Sequence, residues 1–366
     1  MNILAIETSC DESGVALLTV SPVAHGGAPK AVVREDLVAS QIKLHREFGG
    51  VVPNLAKREH IKNLPILFAR LQRKLRAKKI PFKFDMIAVT VGPGLEPALW
   101  TGITFAQALA KEYKKPLVGA NHLEGHLYSF LLPPRQQKTV NSKLQIAKSK
   151  IRTKAQATKI AFPAIGLIVS GGHTILIKMD SLVKWKHLGE TRDDAAGEAF
   201  DKAARMLDLP YPGGPEIERL AKTGDPHTVE FPRPMLHEKN YEFSFSGLKT
   251  SVLYYLRDHP DALTGKKGKA DIAASFQAAA LDVLVAKTMR AAREYGAKSV
   301  ILCGGVASNN ALRGRLRKAT HGEGRAFFVP ERRYNLDNGA MIGLAGYMAH
   351  LRGKRYPFKA NGNLGI

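Results

Sequence analysis

The stretch Asn2–Val20, with the sequence NILAIETSCDESGVALLTV, shows the plan on which the whole chain is built. An apolar run is followed by the polar turn Thr8–Gly14 and by a second apolar run, which is the pattern of a β-hairpin with an acidic tip. The same plan returns near the middle of the chain at Ala164–Ile177, AIGLIVSGGHTILI, with the shorter turn Ser170–His173. Two such hairpins, far apart in the chain, indicate an internal duplication.

Two further pairs of segments match in the same order. The apolar run Ile87–Val91 leads through a glycine turn into a helical pattern, as Ser299–Cys303 does in the second half of the chain. Farther on, Pro116–Val118 leads into a short helical pattern, as Ala326–Pro330 does. Three matched pairs predict a duplicated α/β fold, in which two similar lobes face each other across a cleft.

The duplication and one basic segment predict how the chain is divided. We expect an N-terminal lobe at residues 1–133, a basic insertion or linker at 134–160, and a C-terminal lobe with a helical insert at 161–366. The final helix, around Met341–Leu351, is expected to pack back on the N-terminal lobe.

Two histidines in the stretch Ala120–Leu127, ANHLEGHL, are candidate metal ligands. If a helix begins after Asn121, a favourable N-cap residue, His122 and His126 lie one turn apart on one face and can bind a common ion. The duplication places Asp337 at the corresponding helix start of the second half. Two nitrogens and one oxygen, with open positions left, suit a catalytic Zn²⁺ or Fe²⁺. The alternatives are histidines that hydrogen-bond within a packed helix and an aspartate that only caps one.

The composition is that of a globular protein with a polyanionic partner. The 366 residues are 45% apolar and 24% charged, but the formal net charge is +23 and the pI is near 10.0. Clusters of Lys and Arg release counterions from a phosphate backbone, so this excess points to nucleic acid rather than to solubility alone. Cys10 and Cys303 are the only cysteines, which argues against a disulfide framework or a cysteine zinc site and fits a reducing cytoplasm.

No segment predicts export or a membrane span. Glu7 and Asp11 interrupt the first apolar run before it could serve as a signal peptide. We also expect no apolar stretch near the ~18 residues that cross a bilayer. The protein is therefore expected to be soluble and cytoplasmic, with no membrane partner.

Glycine turns suggest a nucleotide in the cleft. The backbone N–H groups of Ser170–Gly172 and Gly304–Gly305 can approach a phosphate closely, although either turn alone could be an ordinary tight turn. Between the repeated parts lies an acidic helical pattern at Gly189–Arg205. Its Asp201 could accept hydrogen bonds from ligand hydroxyls, or it could pair with Arg205 one turn later.

Ten motifs follow one another along nearly the whole chain: Ile6–Glu12, Glu47–Pro53, Gly92–Leu95, His122–His126, Val169–Thr174, Asp193–Lys202, Tyr211–Pro215, Phe243–Thr250, Gly304–Val306 and Asp337–Met341. Together they resemble the motifs of the TsaD family, the tRNA N6-adenosine threonylcarbamoyltransferases. So many long motifs in one order leave little room for chance.

This resemblance implies an actin-like, sugar-kinase-like fold of the ribonuclease H type. It implies transfer of a threonylcarbamoyl group from threonylcarbamoyl-adenylate to N6 of the adenosine 3′ to the anticodon of tRNA. It also implies that His122, His126 and Asp337 hold one divalent metal, Fe²⁺ or Zn²⁺. The residues implied to line the adenylate site are Ile168, Val169, Ser170, Gly171, Gly172, Asp201, Gly214, Glu218 and Asn309. Bacterial members work with a TsaB-like paralogue and a TsaE-like ATPase, which are therefore implied as partners.

The sequence departs from the family pattern at two places. Asn121 stands where a further histidine is common, and Glu96 and Pro97 follow the Gly92–Leu95 turn. Both departures bear on the local shape of the cleft and leave the metal set unchanged.

The implied donor is already activated as a mixed anhydride, so no covalent enzyme intermediate is required. The enzyme must neutralise the leaving phosphate and polarise the acyl group, which suits a metal and a set of backbone N–H groups. No motif indicates a nucleophilic Ser or Cys, and the sequence does not identify the base that deprotonates the amine.

Three other functions explain the sequence less well. A metalloprotease would use the same histidine spacing, but Glu124 lies about 200° around a helix from His122, whereas the HExxH base directly follows the first histidine. An ATP-dependent kinase on the same fold would leave the charge excess unexplained. A pure tRNA-binding module would not need the metal set.

The segment Pro134–Ile160 matches none of the shared motifs. It contains no acidic residue and the following basic ones: Arg135, Lys138, Lys143, Lys148, Lys150, Arg152, Lys154 and Lys159. We expect a surface insertion that clamps the tRNA backbone, and the alternative is a solvated linker.

Overall fold

The computed structural model describes residues 1–22, 28–134, 160–264 and 266–366. The predicted basic insertion falls almost entirely at residues 135–159, which lie outside the described ranges.

The first half of the chain forms a five-stranded sheet from β1 (Asn2–Glu7), β2 (Glu12–Ser21), β3 (Lys30–Ser40), β4 (Met86–Gly92) and β5 (Leu117–Asn121). The strand order is β3-β2-β1-β4-β5. Neighbours among β1, β2 and β3 are antiparallel, whereas β4 is parallel to β1 and β5 is parallel to β4.

The second half repeats this sheet with β6 (Ala164–Val169), β7 (Thr174–Ser181), β8 (Lys184–Glu190), β9 (Ser299–Cys303) and β10 (Ala326–Phe328). The strand order is β10-β9-β6-β7-β8, with antiparallel and parallel neighbours at the same places as in the first sheet. The shared topology confirms the predicted duplicated α/β fold.

The helices of the described residues are α1 (Ile42–Arg46), α2 (Pro53–Ala77), α3 (Glu96–Tyr113), α4 (His122–Tyr128), α5 (Ala196–Met206), α6 (Gly213–Ala221), α7 (Ser246–Asp258), α8 (Lys266–Glu294), α9 (Asn310–Gly322) and α10 (Gly339–Leu351). Short 3₁₀ turns occur at Ser129–Leu131, Pro260–Leu263, Gly305–Ser308 and Arg332–Tyr334.

Central and edge strands differ in how clearly the sequence marks them. Ile3, Leu4, Ala5 and Ile6 of β1 are completely buried, because helices cover both faces of the sheet. The edge strands β3 and β8 were not predicted. Their charged residues interrupt the apolar runs, and an edge exposed to solvent tolerates such charges.

Two helices pack on the sheet of the opposite half. In α10, a Cβ atom at Gly343 would lie 2.1 Å from the Leu18 side chain, and one at Gly346 would lie 2.6 Å from Ala88 Cβ. These glycines therefore let α10 approach the first sheet closely. Conversely, Leu127 of α4 packs against Gly166 in the second sheet. This exchange brings the starts of α4 and α10 together between the sheets.

One helix corrects the expectation about apolar length. Lys267–Glu294 of α8 is long and apolar enough to cross a bilayer, because its charged residues are widely spaced. However, 72% of its most apolar window is buried inside the protein, as is typical of a core helix.

Candidate active site

The candidate metal ligands begin with the short helix α4. The Asn121 side chain caps this helix, since its oxygen accepts hydrogen bonds from the N–H groups of Leu123 at 2.8 Å and Glu124 at 3.2 Å. The predicted helix start is thus confirmed. His122 and His126 lie on one face, with ring centroids 4.6 Å apart.

Asp337 meets both histidines from the other half of the chain. Its Oδ1 atom lies 3.6 Å from His122 Nε2 and 3.2 Å from His126 Nε2. Asp337 does not cap α10, because Asn338 does so by accepting from the Met341 N–H at 2.9 Å. One potential ligand atom from each of the three residues lies within 4.8 Å of the others.

Glu7 and Ser9 support His122 from behind. The Nδ1 atom of His122 lies 3.0 Å from Ser9 Oγ and 3.3 Å from Glu7 Oε2. Glu7 is completely buried and also accepts from the Thr90 hydroxyl at 2.5 Å. With Nδ1 turned to these partners, Nε2 faces Asp337 and can bind a cation. This role of Glu7 and Ser9 was not predicted from the sequence, although a carboxylate at the end of a buried strand was an available signal.

The charges of this cluster reinforce one another. Burial would lower the pKa of His122, but the carboxylates of Asp337 and Glu7 outweigh it and raise the pKa to about 9. Conversely, burial would raise the pKa of Asp337, but His122 and His126 hold it below its usual value. Within the described residues, Nδ1 of His126 is buried without a hydrogen-bond partner. This nitrogen belongs to one of two neighbouring imidazoles that share a carboxylate, and such a donor set fits a cation site.

His173 brings the β6–β7 turn next to the cluster. Burial lowers its pKa, and the nearby His122 and His126 lower it further, to about 4. It is therefore neutral at pH 7. The turn is closed by hydrogen bonds from the Ser170 N–H to the His173 carbonyl at 2.8 Å and from the His173 N–H to Ser170 Oγ at 3.1 Å. From the sequence, His173 was predicted only as part of the turn, although the duplication makes this turn the counterpart of the β1–β2 turn.

The β6–β7 turn is open where a phosphate would approach. Gly171 and Gly172 are exposed, and a Cβ atom at either would have no atom within 4 Å. Behind the turn, α5 begins so close that the Gly197 N–H donates to the Ser170 carbonyl at 3.2 Å. An unobstructed glycine turn beside a helix start favours an anion.

Two of the predicted donor-site residues, Ile168 and Val169 at the end of β6, can offer only backbone atoms to a ligand. The side chains of Ile168 and Val169 are completely buried, so only their main-chain atoms could meet a ligand. Gly304 has a φ of +91°, and a Cβ atom there would lie 2.3 Å from the Val169 carbonyl oxygen. Glycine is thus required where the second glycine turn passes β6.

Asp201 connects α5 to the start of α6. Its Oδ1 atom accepts from the N–H groups of Gly213 at 2.7 Å and Gly214 at 3.2 Å. Burial raises the pKa of Asp201, and these two hydrogen bonds oppose the shift. Arg205 instead donates to the carbonyl of Gly49, so the alternative pairing with Asp201 is not formed within the described residues.

Glu218 and Asn309 lie where α6 meets α9. Glu218 Oε1 accepts from the Asn310 backbone N–H at 3.1 Å and from its side-chain amide at 2.5 Å. Asn309 caps α9 by accepting from the Leu312 N–H at 2.9 Å, and it donates to Gln277 Oε1 at 2.8 Å. Both side chains are thus engaged in holding the start of α9.

Asp11, in the β1–β2 turn, faces the donor side of the cleft. It is 6% exposed, and its Oδ2 atom has no hydrogen-bond partner among the described residues. Burial raises the pKa of Tyr211, and the charge of Asp11 raises it further. The acidic tip of this hairpin was predicted from the sequence, but a role for Asp11 in the site was not.

Glu124 lies between the two histidines in sequence but points away from them. It is completely buried, forms an ion pair with Arg352, and accepts from the Tyr356 hydroxyl at 2.6 Å. Arg352 also stacks over the Trp185 ring, 4.3 Å from its centroid. Glu124 therefore anchors α4 and is not placed as the base of a metalloprotease.

Comparison with known proteins gives one consistent result. A model of the TsaD family, described as tRNA N6-adenosine threonylcarbamoyltransferase, matches residues 32–140 and 139–344. The protein of that name from Moorella thermoacetica is 45% identical over 363 residues, which cover 98% of this chain and 95% of that protein. The one from Thermotoga neapolitana is 41% identical over 361 residues, which cover 99% and 98%.

Solved structures show the same fold at low sequence identity. The crystal structure of full-length HypF in the phosphate- and nucleotide-bound form has a TM-score of 0.55 and 14% identity, and the structure of T. kodakarensis HypF has 0.54 and 15%. Each match covers 96% of this chain but only 46% and 48% of those chains, so this chain spans about half of either. This likeness confirms the two-lobed, actin-like α/β fold and shows nothing further.

Proposed function

The chain belongs to the TsaD family of tRNA N6-adenosine threonylcarbamoyltransferases, and from that premise we propose a donor site beside a metal held by His122, His126 and Asp337. The protein is a transferase of tRNA processing that places a threonylcarbamoyl group on N6 of the adenosine 3′ to the anticodon. The family is metal-dependent, and the His and Asp cluster is the candidate site in this chain.

The proposed metal is one divalent ion per chain, Fe²⁺ or Zn²⁺. When bound, it would polarise the acyl group and offset negative charge that develops during transfer. Glu7 and Ser9 orient His122 through its Nδ1 atom, so that Nε2 stays directed at Asp337. The unpartnered Nδ1 atom of His126 adds support, because the described residues do not satisfy it.

The proposed donor is threonylcarbamoyl-adenylate. Its phosphate would lie on the N–H groups of Gly171 and Gly172 in the Ser170–Gly172 turn, with the start of α5 behind it. The neutral His173 would lie between this turn and the metal set. The rest of the proposed donor site consists of Ile168 and Val169 through their backbone, and of Asp201, Gly214, Glu218 and Asn309.

One observation underlies this arrangement more than any other. The two histidines come from the first half of the chain and the glycine turn from the second, yet His173 of that turn lies close enough for the charges of His122 and His126 to lower its pKa. A phosphate leaving group and an acyl group to be polarised are neighbours in a mixed anhydride, so the two sites match its two ends. The reaction then needs no nucleophilic side chain, and Glu124 is occupied by Arg352 and Tyr356.

Family membership also motivates proposals about partners and organisation. We propose that a TsaB-like paralogue and a TsaE-like ATPase assist the chain in the cytoplasm. The division into lobes at 1–133 and 161–366 stays a prediction, as does the tRNA clamp at 134–160.

A transfer assay tests the proposed function. The purified chain, loaded with Fe²⁺ or Zn²⁺, is incubated with threonylcarbamoyl-adenylate and tRNA, with and without the two partners, and the tRNA nucleosides are then analysed. We expect threonylcarbamoyl-adenosine to form from this donor without added ATP in at least one partner combination. No product from the adenylate, in any combination, would contradict the proposed donor.

A further inference from the structure

Three arginines lie together on the second half of the chain, close to the donor side of the cleft. Arg313 and Arg317 are on α9, whose start is capped by Asn309. Arg332 is in the 3₁₀ turn that precedes Asp337. We call Arg313, Arg317 and Arg332 the arginine rim.

Each guanidinium group of the arginine rim is held by a neighbouring segment. Arg313 Nη2 donates to the Pro330 carbonyl at 3.0 Å. Arg332 donates to the side-chain oxygen of Asn310, and the Arg317 guanidinium lies 5.8 Å from the centroid of the Phe327 ring. Since Asn310 is itself bound by Glu218, the rim is connected to the donor site by successive hydrogen bonds.

The charges of the rim are not balanced by ion pairs among the described residues. In the part of the chain that the structure describes, no ion pair links any of its three arginines to a carboxylate. Arg313 and Arg317 are one turn apart on the same helix, where like charges repel. Burial lowers the pKa of Arg313, and Arg332 and Arg317 lower it further, which is consistent with three cations close together.

The neighbouring Arg315 shows the contrast. It lies between Arg313 and Arg317 in sequence, but it points to another face of α9 and forms an ion pair with Asp282. Elsewhere on this half, Arg293 and Arg325 share Glu323. The three arginines of the rim differ from Arg315, Arg293 and Arg325 because none of them forms an ion pair among the described residues. Repulsion between the three neighbouring cations is unfavourable, and a bound anion would offset it.

We propose that the arginine rim binds backbone phosphates of the tRNA beside the opening of the cleft. Arg317 and Arg332 are exposed and Arg313 is half-buried, so the rim can meet a large ligand at the surface. The arginine fork suits phosphate oxygens, and such contacts position an RNA without reading its sequence. This inference rests on tRNA as the acceptor substrate. A rival source of the same chemistry is the phosphate of the donor.

Salt-dependent binding tests this proposal. We compare the chain with the variant Arg313→Gln/Arg317→Gln/Arg332→Gln, measuring tRNA affinity at several KCl concentrations. Each lost phosphate contact should remove roughly 0.7 to 0.9 from the slope of log affinity against log salt. We therefore expect a slope smaller by about 2 to 3, and tRNA binding at least about tenfold weaker at 0.1 M salt. Metal content should stay unchanged, and AMP affinity should fall much less than tRNA affinity, because Arg332 reaches the donor site only through Asn310.

Two further variants make the result decisive. Arg315→Gln removes one positive charge from the same helix outside the rim, and its slope should stay within about 1 of the unmodified chain. If the triple variant unfolds, Arg317→Gln/Arg332→Gln keeps the half-buried Arg313 and should still reduce the slope by about 1.5. An unchanged slope in a folded rim variant would overturn the proposal. A loss of AMP affinity with normal tRNA affinity would assign the rim to the donor phosphate instead.

Discussion

At the scale of single residues, Gly171 and Gly304 near the donor site differ in why a side chain would be harmful there. A Cβ atom at Gly171 would project into open space, whereas one at Gly304 would meet the Val169 carbonyl oxygen from a backbone with φ +91°. We predict that Gly171→Val leaves the fold stable but weakens binding of a non-hydrolysable donor analogue at least about tenfold, by obstructing the phosphate approach. Gly304→Ala should instead lower the free energy of unfolding by about 1 to 3 kcal/mol. Calorimetric binding and urea unfolding check both, and normal donor affinity in Gly171→Val would contradict the proposed cradle.

Asp201 and Asn309 are proposed donor-site residues whose side chains also form structural hydrogen bonds. Asp201→Ala should weaken donor binding more than tRNA binding. Asn309→Ala should do the same, but it should also cost about 0.5 to 2 kcal/mol of stability, since the cap of α9 is lost. Asn309→Asp keeps the capping oxygen and is the matched control for stability. Equal losses of donor and tRNA binding in Asp201→Ala would indicate a general structural defect.

At the scale of elements, α8 contains a buried lysine whose protonation should be visible in stability. Lys287 is 1% exposed, and its ammonium group donates to the carbonyls of Asn240 and Glu242. Burial lowers its pKa to about 8, from 10.5. Between these values the unfolded chain holds a proton that the folded chain has lost, so folding becomes more favourable as the pH rises.

We therefore predict a pH-dependent difference between the chain and the variant Lys287→Met. The free energy of unfolding of the unmodified chain, relative to the variant, should rise by up to about 3 kcal/mol between pH 7.5 and 10. Urea unfolding at several pH values measures this difference. A difference that stays constant with pH would show that Lys287 keeps its ordinary pKa in the folded protein.

The elements also show what the sequence could and could not predict. Hairpins such as β1–β2 and the helix after Asn121 were predictable, because apolar runs, turn residues and a capping side chain are local signals. The edge strands β3 and β8 were missed, because charges interrupt their apolar runs. The length of the apolar part of α8 was underestimated for the same reason, because a few spaced charges interrupt it.

At the scale of the whole molecule, the duplication was the most informative signal. It predicted that Asp337 meets two histidines more than 200 residues away in sequence. The distances from Asp337 to His122 and His126 agree with this prediction. It could not reveal the supporting contacts of Glu7 and Ser9 with His122, because these depend on side-chain directions in the folded cleft. The duplication also could not show that the Asn309 side chain caps α9.

The basic insertion is a second prediction at this scale. Replacing residues 134–160 by a short Gly/Ser linker should weaken tRNA binding and flatten its salt dependence, because each lost phosphate contact removes roughly 0.7 to 0.9 from the slope. Metal content and donor affinity should not change. An unchanged salt slope would reduce the insertion to a spacer and leave the tRNA contacts to the lobes, including the arginine rim.

The metal content of the chain tests the proposed site most directly. We would measure iron and zinc by mass spectrometry in the purified chain and in the variant His122→Ala/His126→Ala/Asp337→Ala, and compare their unfolding by urea. We predict close to one metal ion per chain in the unmodified protein. We predict almost none, and loss of most transfer activity, in a variant that still unfolds cooperatively. Full metal occupancy in the folded triple variant would contradict the assignment of His122, His126 and Asp337 as the metal site.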